Sequence, residues 1–213
     1  MPKEGYHYHL FISYPRGGDV EIWVKRYFYT QIQRKLTEEL GSDARIFYDQ
    51  HDIRTGASWE RTIVDAARHA LCVIPVWSPT YFTSKWCVSE WASFRERAEG
   101  IVVPVAWGNI VELPPAAASV QCTDVREYAL TASAFEKHND FVEFEKLIRS
   151  FVQKEILPAL KRAPDFNSLW PVVVPKVTDA VKNMNVKALQ SLQDVDSMYV
   201  REPFRIQRLV LAA

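Results

Sequence analysis

Short apolar runs alternate along this chain with longer amphipathic stretches. His7–Tyr14 (HYHLFISY) is apolar and β-prone, and Pro15-Arg16-Gly17-Gly18 breaks it, so the segment reads as a central strand ending in a turn. Asp19 is placed to cap a helix running to about Leu40. Trp23, Tyr27, Phe28, Ile32, Leu36 and Leu40 recur there at helical spacing, and Gly41 suits the stop. Ala44–Tyr48 is a second strand, followed by a polar loop from Asp49 to Ser58. Ser58 can cap a helix from Trp59 to about His69, with Ile63, Ala66, Ala67 and Ala70 on its inner face. Leu71–Trp77 is apolar at both alternating sets of positions, as a strand buried on two faces requires.

Ser78-Pro79 then opens a turn through Tyr81 and Phe82, and a helix is expected from about Lys85 to Glu99, ended by Gly100. Ile101–Ala106 is a fourth strand and Val120–Val125 a short fifth. From Asp140 to about Leu157, Phe141, Phe144, Leu147, Ile148 and Phe151 form a helical stripe; Pro158 and Pro164 mark its end and a boundary. Beyond lie an apolar run between Pro171 and Pro175, a helix expected over Lys176–Leu192, and a tail, Pro203–Ala213.

Strand and helix in alternation imply a parallel sheet with right-handed crossovers. The expected fold is α/β, a flavodoxin-like three-layer sandwich whose five strands run in the order 2-1-3-4-5. It occupies residues 1–160, with residues 161–213 as a C-terminal extension. In such a sheet ligands bind past the carboxyl ends of strands 1 and 3, where the winding reverses. Topology therefore brings Arg16, the Asp49–Ser58 loop and the helix that begins just after strand 3, with Glu90, toward one crevice.

Composition narrows the options. With 26 basic and 26 acidic residues the chain has no general attraction for nucleic acid or an anionic membrane. Its longest apolar run, Ala70–Trp77, is far short of the roughly 20 residues that span a bilayer, and MPKEGYHYH has no apolar signal core. A cytoplasmic location is expected. Cys72, Cys87 and Cys122 are too few and too scattered for a disulfide frame or a zinc site. His7 and His9 make half a metal site with no third ligand evident, so no metal is expected.

One acid stands out. In Trp86-Cys87-Val88-Ser89-Glu90-Trp91, Glu90 sits among apolar neighbours, and Trp86, one turn earlier, shares its helix face. Taken alone, such a glutamate is more often a solvated helix residue than a catalytic one, while Trp86 is as readily core as a stacking platform. Arg16, beside glycines at a strand end, suits a phosphate, with help from backbone amides near Gly17. No GxGxxG and no P-loop is present, so the ordinary dinucleotide and ATP modes are unsupported.

Three ordered motifs carry a resemblance. They are Phe11-Ile12-Ser13-Tyr14 with Arg16 and Asp19; Phe47-Tyr48-Asp49 with Ile53, Gly56 and Trp59; and Ser78-Pro79 with Tyr81, Ser84, Trp86, Cys87 and Glu90. Over roughly residues 7–155 the chain resembles the Toll/interleukin-1 receptor (TIR) domain family in its bacterial form. That resemblance implies one of two functions: an enzyme cleaving the nicotinamide–ribose bond of NAD, or a non-catalytic interaction module. The enzymes have a glutamate four residues after an aromatic on the helix following strand 3, and Trp86 and Glu90 match that pattern.

On this reading Glu90 is catalytic, and Ser13, Arg16, Gly17, Asp49 and Trp86 bind substrate. NAD is the substrate and no separate cofactor is needed. Nicotinamide leaves a cationic pyridinium as a neutral molecule, so a single carboxylate suffices where most glycosidases need two. The resemblance further implies ADP-ribose or a cyclic isomer as product, and a place in anti-phage defence or signalling with a possible defence-system partner protein. It also implies a homo-oligomer joined through the loop after strand 2, at Ile53, Arg54 and Gly56. A nucleoside-processing relative of the fold, such as a deoxyribosyltransferase, is a third reading that free nucleosides would test.

Overall fold

The computed structural model describes residues 1–48, 59–110, 112–175 and 199–202. Strand β1 (Tyr8–Ser13) leads into α1 (Gly18–Trp23), a π-helical turn (Val24–Phe28) and α2 (Tyr29–Leu40). There follow β2 (Ile46–Phe47), α3 (Trp59–Arg68), β3 (Ala70–Trp77), a 3-10 turn (Tyr81–Thr83) and α4 (Lys85–Arg95). Next come β4 (Val105–Ala106), α5 (Pro115–Ala118), β5 (Thr123–Asp124), α6 (Asn139–Phe151) and α7 (Leu157–Arg162), and then the strands β6 (Val172–Pro175) and β7 (Tyr199–Glu202).

The main sheet is parallel with order β2-β1-β3-β4-β5, the order expected from the sequence pattern. β3 is buried along its whole length, because helices cover both faces of a central parallel strand. Leu10, Phe11 and Ile12 pair in register with Cys72, Val73 and Ile74, and all six are buried. Ser13, opposite Pro75, ends β1 at the carboxyl edge. Among the described residues no helix is long and apolar enough to cross a membrane.

Several boundaries differ from expectation for identifiable reasons. Gly17, not Asp19, precedes the first helix; its φ of 84° is a left-handed conformation that glycine adopts without strain. The first helical stretch widens into a π turn, which brings Trp23 and Phe28, five residues apart, into a stack with centroids 4.9 Å apart. α4 stops at Arg95 rather than Glu99. Past it Arg97 turns into the core, where its guanidinium donates to the carbonyls of Ala67 (2.7 Å) and Ala70 (2.9 Å). The fourth and fifth strands each shrink to two residues. The late helix does not end at Pro158: a π turn (Val152–Ile156) precedes the proline, and helix continues to Arg162, just short of Pro164.

The apolar run after Pro171 is strand β6, paired antiparallel with β7 and packed on α4. The Val173 amide donates to Ser93 Oγ on α4 at 2.8 Å. Val173 also joins a second apolar cluster with Trp77, Tyr81, Phe82, Cys87, Val88 and Trp91, so the start of the extension completes the packing around α4. The helix expected over Lys176–Leu192 lies outside the described residues.

Candidate functional site

The carboxyl ends of β1 and β3 meet under a cleft of about 300 Å³. Its walls come from the turn after β1 (Tyr14, Pro15, Arg16), from Ile63 of α3, from Thr80, Thr83 and Ser84 after β3, and from Trp86, Cys87 and Glu90 of α4. α4 enters in a fixed register because Ser84 caps it, its hydroxyl accepting the Cys87 amide.

Glu90 is 8% exposed yet lines this cleft. The Ser13 hydroxyl donates to its Oε2 at 2.6 Å. Tyr81 Oη stands 2.9 Å from Ser13 Oγ and 2.9 Å from the Cys87 carbonyl. Since the serine proton goes to the carboxylate, the single phenolic proton of Tyr81 serves the Ser13 oxygen and the Cys87 carbonyl between them. The end of β1, the turn after β3 and the first turn of α4 are thus tied together around one buried carboxylate. A buried acid held this way keeps its orientation, and charge facing it interacts more strongly than in water.

Trp86 is half-buried and shares the cleft with Glu90, one helical turn away. Arg16 is exposed at the rim. Gly17 is placed differently from the sequence expectation: its amide donates to the Glu21 carboxylate. Partial burial pushes Glu21 up, but the Lys25 ammonium, the Gly17 amide and the charge of Arg16 together hold it below the usual carboxylate range. Asp49, Ile53, Arg54 and Gly56 lie outside the described residues. Tyr81 was read from sequence only as part of a motif. An aromatic hydroxyl two residues beyond the proline that ends strand 3 was the available signal, and only the fold shows it reaching Ser13.

A larger cavity of about 650 Å³ lies away from this edge, among Arg95, Glu99, Pro104, Cys122, Glu155 and Arg162. It contains none of the motif residues, and its Arg162 guanidinium is committed to the Gly100 carbonyl. Size alone does not make it the site; convergent polar groups at the switch point weigh more.

The family model for the TIR domain matches residues 10–139, more than half of the chain. The chain belongs to the TIR domain family. This TIR domain is similar to two solved structures. The TIR domain of the Toll-related receptor TRR-2 from Hydra magnipapillata is 17% identical, with a TM-score of 0.46, over 66% of this chain and 99% of that one. The TIR domains of the activated Roq1 resistosome, which recognises the pathogen effector XopQ, are 19% identical, with a TM-score of 0.39, over 73% and 96%. No curated protein matches the chain. The TIR family includes both NAD-cleaving enzymes and non-catalytic adaptors, so the choice between them for this TIR domain rests on the chemistry of the cleft.

Proposed function

We propose that this TIR domain cleaves the nicotinamide–ribose bond of NAD, with Glu90 as the catalytic group. The observation that carries the reading is a nearly buried carboxylate, pinned by Ser13, that faces the switch-point cleft beside Trp86. An acid with only a structural role would not need to open onto a cavity.

The chemistry asks for little more. As the C–N bond breaks, its electron pair neutralises the pyridinium, and positive charge develops on the ribose. Glu90 stabilises that charge at close range, an effect worth several kcal/mol in a partly dry site. Trp86 stacks on the nicotinamide or ribose face. Water then attacks the anomeric carbon and releases a proton, giving ADP-ribose; attack by the substrate's own adenine gives a cyclic isomer instead. Ser13 and Tyr81 act as positioning residues for the carboxylate, and Arg16 serves the phosphates. No cofactor is needed besides the substrate.

At about 300 Å³ the cleft is at the small end for ligand sites and suits the nicotinamide-riboside half of the substrate. The adenosine half then extends beyond it, and a neighbouring copy of the chain, joined through the loop that holds Asp49, Ile53, Arg54 and Gly56, completes that part of the site. Self-association through that loop belongs to this reading, as does cytoplasmic work in antiviral defence or signalling.

The deciding experiment is incubation with NAD followed by chromatographic separation of products, over a range of protein concentrations. Release of nicotinamide with ADP-ribose or a cyclic isomer, abolished in Glu90→Gln, is expected. Intact NAD at every concentration would leave an interaction module, and cleavage of free nucleosides in its place would point to a transferase-like chemistry.

A further inference from the structure

At the opposite, amino-terminal edge of the sheet, three ligand-type side chains come together. His7 lies just ahead of β1, Asp65 is on α3, and His69 follows the end of α3. One ligand atom from each lies within 4.8 Å of the others. The pairing suggested by sequence, His7 with His9, does not form. His9 is buried and its Nδ1 accepts the Arg45 amide at 2.9 Å, whereas His7 is exposed and stacks on His69, with ring centroids 4.3 Å apart and planes 6° apart.

We propose that His7, Asp65 and His69 form a binding site for a divalent transition-metal ion of the zinc class. Asp65 and His69 are four apart, with His69 Nδ1 3.2 Å from Asp65 Oδ1; the same nitrogen lies 2.9 Å from the Asp65 carbonyl, a bond that an ion on Nδ1 would replace. The third ligand comes from another segment, and its distance is set by main chain. The amides of His7 and Tyr8 both donate to the His69 carbonyl, at 2.8 and 3.0 Å. Phe166 stacks with the His69 ring at 5.0 Å and limits its rotation. The donors therefore sit on backbone that cannot easily part.

The donor set selects the ion. Two imidazoles and one carboxylate suit zinc, cobalt, nickel or copper, and are a poor match for magnesium or calcium, which take oxygen. Ligand arms of about 2.0–2.1 Å put tetrahedral ligand atoms about 3.3 Å apart. Stacked parallel rings aim their in-plane lone pairs side by side, so binding requires the exposed His7 ring to turn out of the stack toward Asp65 and His69. A shared cation would be held by one nitrogen of each ring and by the Asp65 carboxylate. Bound metal would clamp the start of β1 to the end of α3 and raise the melting temperature.

The test is calorimetric titration of the untagged protein with Zn²⁺ and separately with Mg²⁺, together with Co²⁺ absorption spectra. One Zn²⁺ per chain and an intense visible Co²⁺ band from low coordination number are expected, with no binding of Mg²⁺. His7→Ala, His69→Ala and Asp65→Asn should each weaken Zn²⁺ at least about tenfold. His138→Ala should not, although His138 and Asp140 form a second histidine–aspartate pair among the described residues, at 2.9 Å. Melting curves in chelator show that each variant is folded; His7→Ala, on an exposed side chain, is the variant least exposed to that problem. Zn²⁺ affinity unchanged in His7→Ala and His69→Ala, or absent in the wild type, would overturn the proposal.

Discussion

Ser13 and Glu90 are 77 positions apart, and the Ser13 hydroxyl donates to Glu90 Oε2 at 2.6 Å. One residue ends the first strand of a parallel sheet; the other sits mid-way along the helix after the third. Their hydrogen bond crosses the point where the winding reverses, and it fixes a carboxylate against a cleft.

Replacing Glu90 with Gln keeps shape and hydrogen-bonding capacity and removes charge. NAD consumption should fall about 100- to 1000-fold. The melting temperature should drop by no more than about 3 °C, roughly 1 kcal/mol at this chain length. A variant that retains wild-type turnover would remove Glu90 from the mechanism.

Ser13→Ala removes the hydroxyl that donates to Glu90 Oε2 and leaves Tyr81 its bond to the Cys87 carbonyl. Because Ser13 positions rather than reacts, kcat should fall about 10- to 100-fold while KM changes little. Steady-state kinetics on NAD separates the two. An increase in KM at constant kcat would mean that Ser13 binds substrate directly.

Arg97 tests how the fold holds α4 in place. Burial pulls its guanidinium down to about 10, yet it donates to the Ala67 and Ala70 carbonyls and lies over the rings of Phe94 and Trp170. Arg97→Met leaves both carbonyls short of a donor and should cost about 2–3 kcal/mol in urea denaturation. Arg97→Lys should recover little, since a lysine cannot reproduce the two-pronged donation. Stability equal to wild type in Arg97→Met would show that the desolvation it relieves outweighs the bonds it removes.

His9 should make the fold acid-sensitive. Burial, aided by the positive N-terminus and Arg45, lowers it to about 4 from an ordinary 6.5. Between those values the unfolded chain binds the proton and the folded chain does not, so stability falls as pH drops through that window and is fully present above it. Urea midpoints measured from pH 8 to 4 should decline below about 6.5, with a shallower slope in His9→Gln. An identical slope in that variant would assign the acid sensitivity to other groups.

Much of this was legible in the residue pattern. Strands β1 and β3 were visible because strands buried on two faces must be apolar at consecutive positions, and the alternation with helices implied the sheet order. Boundaries were harder. Nothing local says that α4 ends at Arg95, because the cause is the reach of Arg97 to carbonyls 27 and 30 residues away. Pro158 looked like a stop because a proline blocks an α-helical hydrogen bond, and the π turn before it accommodates the ring in a way the residue string does not advertise.

What the sequence determined by itself was the order of elements, the family motifs, and which acid would lie among apolar neighbours. These follow from periodicity and side-chain type, which are local. The tertiary structure alone decided that Ser13 and Tyr81 hold Glu90, that Gly17 gives its amide to Glu21, and that His7 meets Asp65 and His69 rather than His9. Hydrogen bonds and ligand distances are set within fractions of an ångström, by strand register and helix packing between segments that no local pattern connects.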